Sequence, residues 1–343
     1  VGAPQTIEDW YNMLTKFKND DPNGNSKKDE IPLISWATNQ IFSFALAYGL
    51  SPWSNWFGVN GEKIVYDYTD EINSPKAKQW ILEMNKWFKE GLIDPDFNTE
   101  HYDKANAMLL SNQVGAEQRW TTNFMGYNEM MKADFPEVKW VLSVPPEGPF
   151  GDRCYENYPM MNGERWIITK NNKNVEATLK LFDYIFASEE GQILVNCGIE
   201  GEHYTVKNGK VKYTDAVMNS EYDYPEMAMR MITGGSLPVL INDAYTDDIM
   251  GYGMGDNEKA VMKESSKYFK TMFPFLLATQ EESDLIASKL TDVQTYQNEM
   301  LFGFIMDSKS IDEYDAFVAK LKKMGSEDIV AAKQAQYNRF LGK

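Results

Sequence analysis

Cysteine and histidine are scarce in this chain. Two cysteines, Cys154 and Cys197, exclude a disulfide framework and any zinc site built mainly on thiolates. Two histidines, His101 and His203, exclude a histidine-rich metal centre and leave a Ser-His-Asp triad only two possible bases. Long apolar runs are missing too: Ile41–Leu50 and Met272–Ala278 fall well short of the roughly 20 residues that cross a bilayer. Positive charge is in deficit, with 34 Lys and Arg against 51 Asp and Glu and a formal net charge of −17. A phosphate backbone or an anionic membrane surface is repelled overall, so nucleic acid is not expected as a partner. No phosphate-cradling glycine loop, G-x-S-x-G or H-E-x-x-H occurs.

What is present is a globular composition, 43% apolar and 25% charged, over 343 residues. That length exceeds one ordinary core and favours two domains or one large α/β unit. Aromatics reach 13%, with nine Trp and nineteen Tyr. Most serve a core; those in loops can stack on flat ligands such as sugar rings. The chain opens at Val1-Gly2-Ala3-Pro4 without Met or a visible signal peptide, as expected of a processed or trimmed chain.

Thr6 and Asp9 form a capping pair for a first helix whose apolar face is Ile7, Trp10, Tyr11, Leu14 and Phe17. Short strands are expected at Ile31–Ile34, Val114–Ala116, Val138–Val144 and Trp166–Thr169. Helices are expected near Asn39–Tyr48, from Ser74-Pro75 to Gly91, at His101–Leu110, near Asn123–Lys132, and at Asn174–Phe186 with Leu179, Phe182 and Phe186 inward. Ser74 reads as the cap of the second of these and Gly91 as its left-handed stop. Asn208-Gly209 between alternating runs marks a hairpin. Beyond about Gly235 the pattern is helical, at Glu258–Phe269, Glu281–Met306, Ile311–Met324 and Glu327–Phe340. Strands alternating with helices, then a helical tail, define an α/β class.

One spacing carries chemistry. Asp21-Pro-Asn23-Gly-Asn25-Ser-Lys27-Lys-Asp29-Glu30 puts side-chain oxygens at positions 1, 3, 5 and 9 of an EF-hand-type loop, with the Lys27 carbonyl at position 7. Such hard oxygen donors suit Ca²⁺ better than Mg²⁺. The loop departs from the pattern at Ser26, where Gly is usual, and at Pro32, where Glu is usual. Glu30 is the expected replacement ligand. A solvated turn of turn-favouring residues is the alternative. Asp94-Pro95-Asp96 reads as a turn rather than a catalytic pair, and His203 as structural or ligand-contacting rather than a base. A glycosidase needs two carboxylates across one bond, and nothing in the sequence pairs any two.

Six segments together resemble the extracellular solute-binding proteins (family 1) of ABC sugar importers, nearest the lipoprotein group that includes the alginate-binding proteins. They are Thr6-Ile-Glu-Asp-Trp-Tyr with Phe17, Asp21 to Pro32, Trp87-Phe-Lys-Glu-Gly-Leu-Ile-Asp-Pro-Asp-Phe97, Trp166 to Asn174, Gly198-Ile-Glu-Gly-Glu-His-Tyr204, and Asp292 to Met306. The resemblance implies a two-lobed, type II periplasmic-binding-protein-like fold and a structural Ca²⁺ held by Asp21, Asn23, Asn25, Lys27 (backbone), Asp29 and Glu30. It divides the chain into a second lobe with the calcium loop (1–165), a segment returning to the first lobe (166–215) and a helical part of the second lobe (216–343). Family members carry a further stretch before the point matching Thr6, so most of the first lobe is expected outside this chain.

The resemblance also implies a non-enzymatic function: capture of an oligosaccharide and delivery to ABC permease subunits, by a monomeric, extracellular, cell-surface lipoprotein. Trp120 aligns with a sugar-facing tryptophan of the family. Arg119, Glu117 and Asn123 around it, with the loop residues Trp36 and Trp53, complete the expected ligand set, and Trp166 is a candidate beside a lobe crossing. Indoles stack on the C–H faces of sugars while Arg, Asn and Glu bond to hydroxyls. Trp80 and Trp87 belong to the core. A carbohydrate-active enzyme and a binder of peptides or other solutes are the rival readings.

Overall fold

A computed structural model describes residues 3–37, 40–119, 126–128, 130–156, 166–222, 225–233, 256–270 and 273–343. The chain packs as two units. One comprises Val1–Gln118, Ser143–Asn162 and Val261–Lys343; the other comprises Arg119–Leu142 and Gly163–Ala260.

The first unit opens with helix α1 (Ile7–Asn19), and both halves of its expected cap form. Thr6 Oγ1 accepts from the Asp9 N–H at 3.0 Å, and the Asp9 carboxylate accepts from the Thr6 N–H at 3.1 Å. Strand β1 (Ile31–Ile34) follows. The helix expected near Asn39–Tyr48 is present at Gln40–Tyr48 and is of 3₁₀ type. Runs this long are uncommon. Here every side chain except Ser43 is buried, so packing on all sides overrides local preference. A hairpin of β2 (Phe57–Asn60) and β3 (Lys63–Tyr66) comes next.

Spacing predicts a buried stripe of Ala77, Trp80, Ile81, Met84, Trp87 and Phe88 for helix α2 (Asn73–Lys89); the first five are buried and Phe88 is partly so. Its start differs. Ser74 does not cap it; the Asp70 carboxylate does, accepting from the N–H groups of Ile72 (3.0 Å) and Asn73 (2.9 Å). Asp is the better acceptor and sits one turn earlier, which frees Ser74 to contact the Tyr314 hydroxyl at 3.2 Å. The stop is as expected: Gly91 has φ +63°, its N–H reaches the Phe88 carbonyl and that of Leu92 reaches Trp87. Helix α3 (Tyr102–Leu110) leads to β4 (Val114–Glu117), which pairs parallel with β1 in the register Ile31↔Val114 and Ile34↔Glu117.

The first unit's core is aromatic. Trp10, Phe44 and Trp87 form an edge-to-face chain with centroids 5.2 and 5.1 Å apart, and Trp56 lies 4.9 Å from Tyr68. Residues 143–156 return to α1, where Ile7 N–H meets the Glu147 carbonyl, and end in β5 (Tyr155–Glu156).

In the second unit, α4 (Val175–Ala187) and α5 (Glu189–Cys197) precede the hairpin β6 (Tyr204–Lys207) and β7 (Lys210–Tyr213). Asn208 and Gly209 both have positive φ, as the turn requires. Helices α6 (Asp215–Met218) and α7 (Pro225–Thr233) follow, and α8 (Asp256–Ser265) begins in this unit and passes at Val261 into the first. Three expectations fail here. Residues 138–144 form no strand: the Asn128 side chain bonds both the N–H and the carbonyl of Trp140 (2.8 and 3.0 Å), doing locally what a neighbouring strand would do. Residues 166–169 have no strand partner among the described residues. The apolar stripe of α4 is not inward: no residue of this helix is buried, and Leu179 is 49% exposed. Periodicity shows that a helix has an apolar face, not that something covers it.

Strand β8 (Phe269–Lys270), in the first unit, runs parallel to β5. Helices α9 (Gln280–Ile305), α10 (Tyr314–Lys323) and α11 (Ser326–Phe340) follow at the places read from the sequence. Of the expected division at 165/166 and 215/216, the first boundary lies three residues past the start of the 163–260 segment, and the second falls inside it.

Candidate functional site

The loop 21–30 is built from side-chain oxygens that fold it back on itself. Asp21 Oδ1 accepts from the Asn25 N–H at 3.1 Å and Oδ2 from the Ser26 N–H at 2.9 Å. Asn23 Oδ1 accepts from Asn25 N–H, and Asn25 Oδ1 from Lys27 N–H. Asp29 accepts from the Asn25 and Gln113 side chains, which hold its carboxyl below the usual range, Asn25 having the larger effect. Asn23 donates to the Asn112 carbonyl, so the loop is tied to the turn entering β4 as well as to α1 and β1. Ser26 takes φ +61°, the left-handed conformation for which an EF-hand uses glycine. The departure at position 6 therefore changes the residue and keeps the turn.

The donor set suits a hard cation. It offers three carboxylates, two amide oxygens and a backbone carbonyl. Glu30 Oε1 is buried without a hydrogen-bond partner. A buried carboxylate oxygen left so is costly unless something balances it, and a cation is the natural complement. Among the described residues no three His, Cys, Asp or Glu side chains converge, so such an ion would depend on the amides and the carbonyl as well.

Of the expected ligand residues, Trp36 and Glu117 come together at one end of the β1–β4 pair. Glu117 ends β4 opposite Ile34, and Trp36 lies two residues past Ile34. Ligands of open parallel sheets sit off the carboxyl ends of strands. Gln40 links the two loops: its Oε1 accepts from Trp36 N–H at 3.1 Å and its Nε2 donates to the Gln118 carbonyl at 2.8 Å. Tyr102 meets the Trp36 ring edge-on at 5.3 Å. Trp53 is elsewhere in the first unit, half-buried against Leu46 and Cys154. In the second unit, Arg119 lies over the Tyr127 ring at 5.7 Å, and Trp166, half exposed, packs on Phe182 and Phe186. Trp120 and Asn123 lie outside the described residues.

Gln40, Tyr102 and His101 were not read as site residues. Each acts through a contact made only by folding. Asp94-Pro95-Asp96 is indeed a turn, with Phe97 N–H on the Asp94 carbonyl. His203 is structural: buried, with Nδ1 accepting from Ile199 N–H at 3.0 Å. Both cysteines are buried, and burial pushes the Cys197 thiol up to about 12, which makes it a poor nucleophile.

These features define an α/β binding protein of periplasmic-binding-protein type II. The family profile for bacterial extracellular solute-binding proteins matches residues 1–192, and the chain belongs to that family. It is 27% identical to the fructooligosaccharide ABC transporter substrate-binding protein FusA of Streptococcus pneumoniae serotype 4 (strain ATCC BAA-334 / TIGR4), over 98% of this chain and 62% of FusA. It is 24% identical to the lipoprotein LipO of Bacillus subtilis (strain 168), over 96% of this chain and 64% of LipO. The chain thus spans a little under two thirds of the length of these relatives. Among solved structures, the alginate-binding protein AlgQ2 without calcium ion superposes with a TM-score of 0.77 at 25% identity, over 98% of this chain and 69% of AlgQ2. An EF-hand mutant of FusA in complex with fructo-nystose gives 0.71 at 23%, over 100% of this chain and 70% of that one. The family is one of solute-binding proteins, and FusA is a transporter substrate-binding protein. No helix among the described residues is long and apolar enough to cross a membrane.

Proposed function

We propose that the protein captures an oligosaccharide outside the cell and passes it to the permease of an ABC importer, as a surface lipoprotein. The observation that carries this reading is the match along nearly the whole chain to a fructooligosaccharide-binding protein. The lipoprotein relative supports the surface location. The ligand set is Trp36, Glu117, Trp53, Arg119, Trp120, Asn123 and Trp166, with Trp36 and Glu117 at the strand ends supplying a stacking face and a hydroxyl acceptor. The segments 1–165, 166–215 and 216–343 serve as second lobe, return to the first lobe, and second lobe again. The protein works as a monomer.

Asp21, Asn23, Asn25, the Lys27 carbonyl, Asp29 and Glu30 hold a structural Ca²⁺. The orphaned Glu30 oxygen supports this, as do the calcium and EF-hand descriptions of the AlgQ2 and FusA structures. When bound, the ion offsets the three carboxylates and fixes the loop. The residues themselves join α1 to β1 and to the turn before β4, and so fix the amino ends of the two strands whose carboxyl ends carry Trp36 and Glu117.

The test is a thermal-shift screen against fructo-oligosaccharides and other glycans with Ca²⁺ saturating. A glycan at about 100 times its dissociation constant adds about 2.7 kcal/mol. A raised Tm with the glycan recovered intact is the expected result. A shift with peptides and with no glycan, or cleavage of the glycan, overturns it.

A further inference from the structure

Gln40 is 5% exposed, and both polar atoms of its side chain are committed inside the protein. Oε1 accepts from the Trp36 N–H at 3.1 Å, and Nε2 donates to the Gln118 carbonyl at 2.8 Å. The amide has one workable orientation here. Reversed, its NH₂ would face an N–H and its oxygen a carbonyl. An ionised carboxylate in its place would accept from Trp36 and donate nothing to Gln118.

The two bonds tie the carboxyl end of β1 to that of β4. Trp36 lies two residues past the end of β1, and Gln118 directly follows Glu117, the last residue of β4. The Trp36 peptide is held on its other side by the His101 N–H, which donates to the Trp36 carbonyl at 3.1 Å. Gln40 itself stands on a packed element. It opens the 3₁₀ helix Gln40–Tyr48, whose Ile41, Phe42, Phe44 and Ala45 lie in the first unit's core. Its N–H donates to the Ala37 carbonyl at 3.2 Å, and its carbonyl accepts from the Ser43 hydroxyl at 2.9 Å. A side chain fixed by a packed element places loop residues more precisely than the loops place themselves.

We infer that Gln40 is a positioning residue that fixes the span between Trp36 and Glu117, so that glycan affinity depends on it. It acts through those two residues, because it is buried and has no polar atom left for a ligand. A protein of which only a fraction holds the competent arrangement binds more weakly by that fraction. The effect on affinity rests on Trp36 and Glu117 being the stacking face and hydroxyl acceptor proposed above; the tie between the strand ends does not.

Two variants test the tie. Gln40→Met keeps a side chain of similar length and removes both bonds, whereas Gln40→Glu keeps an acceptor for the Trp36 N–H and loses the donor to Gln118. Hydrogen exchange reads the tie without any glycan. In Gln40→Met the protection of the Trp36 amide should fall by about tenfold or more relative to that of Trp80, in the middle of α2, which reports unfolding of the first unit. A fall no larger than that of Trp80 would mean that Gln40 only adds stability, and overturns the inference. Kestose, the sugar bound in a FusA structure, is the affinity probe. Its dissociation constant should rise about tenfold in Gln40→Met, as when the competent arrangement drops to about a tenth. In Gln40→Glu the Trp36 protection should be kept while affinity still falls, because the end of β4 is released. Trp36→Ala is the control. Kestose binding weakened by Trp36→Ala and unchanged by both Gln40 variants overturns the inference. Binding unchanged by Trp36→Ala, or absent from the wild type, overturns instead the reading of Trp36 as a residue that binds this glycan, and the exchange result still decides the tie. Should Gln40→Met fail to fold, Gln40→Glu decides alone, and wild-type affinity in that variant overturns the inference.

Discussion

Glu282 sits at the third position of α9, where its carboxylate accepts from the Thr279 N–H and so completes that helix's cap. It also receives the Arg339 guanidinium at 2.7 Å, chiefly through which its carboxyl is held down to about 2. A carboxylate whose folded value is depressed stabilises the fold above its unfolded value, near 4.5, and that contribution is lost as pH falls towards 2. The pair is near the surface, so the effect is modest. The expected outcome is a Tm difference between wild type and Glu282→Gln that is constant above about pH 5 and shrinks on acidification. A difference that grows towards low pH would rule out this account. Residue-scale features of this kind were legible where partners lie within one turn, as at Thr6 and Asp9 or along 21–30. The Asp94–His101 contact was not, because the two lie seven positions apart and the chain between them must turn before the side chains meet. Gln40 and Gln118 are far apart in sequence, and only the pairing of β1 with β4 brings their loops together.

At the scale of elements, α2 shows what sequence can and cannot place. Its buried stripe and its stop follow from spacing and one glycine; its start depended on which of two capping residues folds back, and Asp70 prevailed over Ser74. Gly91 is left-handed, and a Cβ there would meet the Lys18 ammonium at 2.6 Å. That long side chain can move, so the backbone term decides. Gly91→Ala should cost about 1 kcal/mol or slightly more, seen as a lower urea midpoint with an unchanged slope. An equal or higher midpoint would mean the turn relaxes into another conformation. The strands expected at 138–144 and 166–169 were apolar runs of suitable length, but a strand exists only through a partner, and a single sequence does not name one. The 3₁₀ form of 40–48 was equally hidden, since a run apolar on all sides carries no periodicity by which to distinguish helix types.

The described residues of the two units differ in how much they bury, and this shapes the expected response to losing calcium. The first holds one large cluster running from Ile7 to Tyr337 and including Trp80, Trp87, Phe97 and Phe317. Among its described residues the second has a small one, of Cys197, Val211, Tyr213, Val217, Ala228 and Met229, while Ile167, Leu179 and Leu181 stay exposed. Stability follows apolar burial, so the second unit should unfold first. The loop 21–30 lies wholly in the first unit, as do six of the nine tryptophans: Trp10, Trp36, Trp53, Trp56, Trp80 and Trp87. Tryptophan fluorescence therefore reports mainly on the unit that holds the ion, whereas far-ultraviolet circular dichroism reports on both. Chelation with EGTA should lower the fluorescence-detected Tm by about 5–10 °C, the size expected if Ca²⁺ at about 100 times its dissociation constant stabilises a unit of this length. The earlier transition in dichroism should not move. Glu30→Gln should lower the fluorescence-detected Tm in calcium and reduce its response to EGTA. One coincident transition by both probes would show that the units unfold together, and a Tm indifferent to EGTA after exhaustive chelation would remove calcium from the loop.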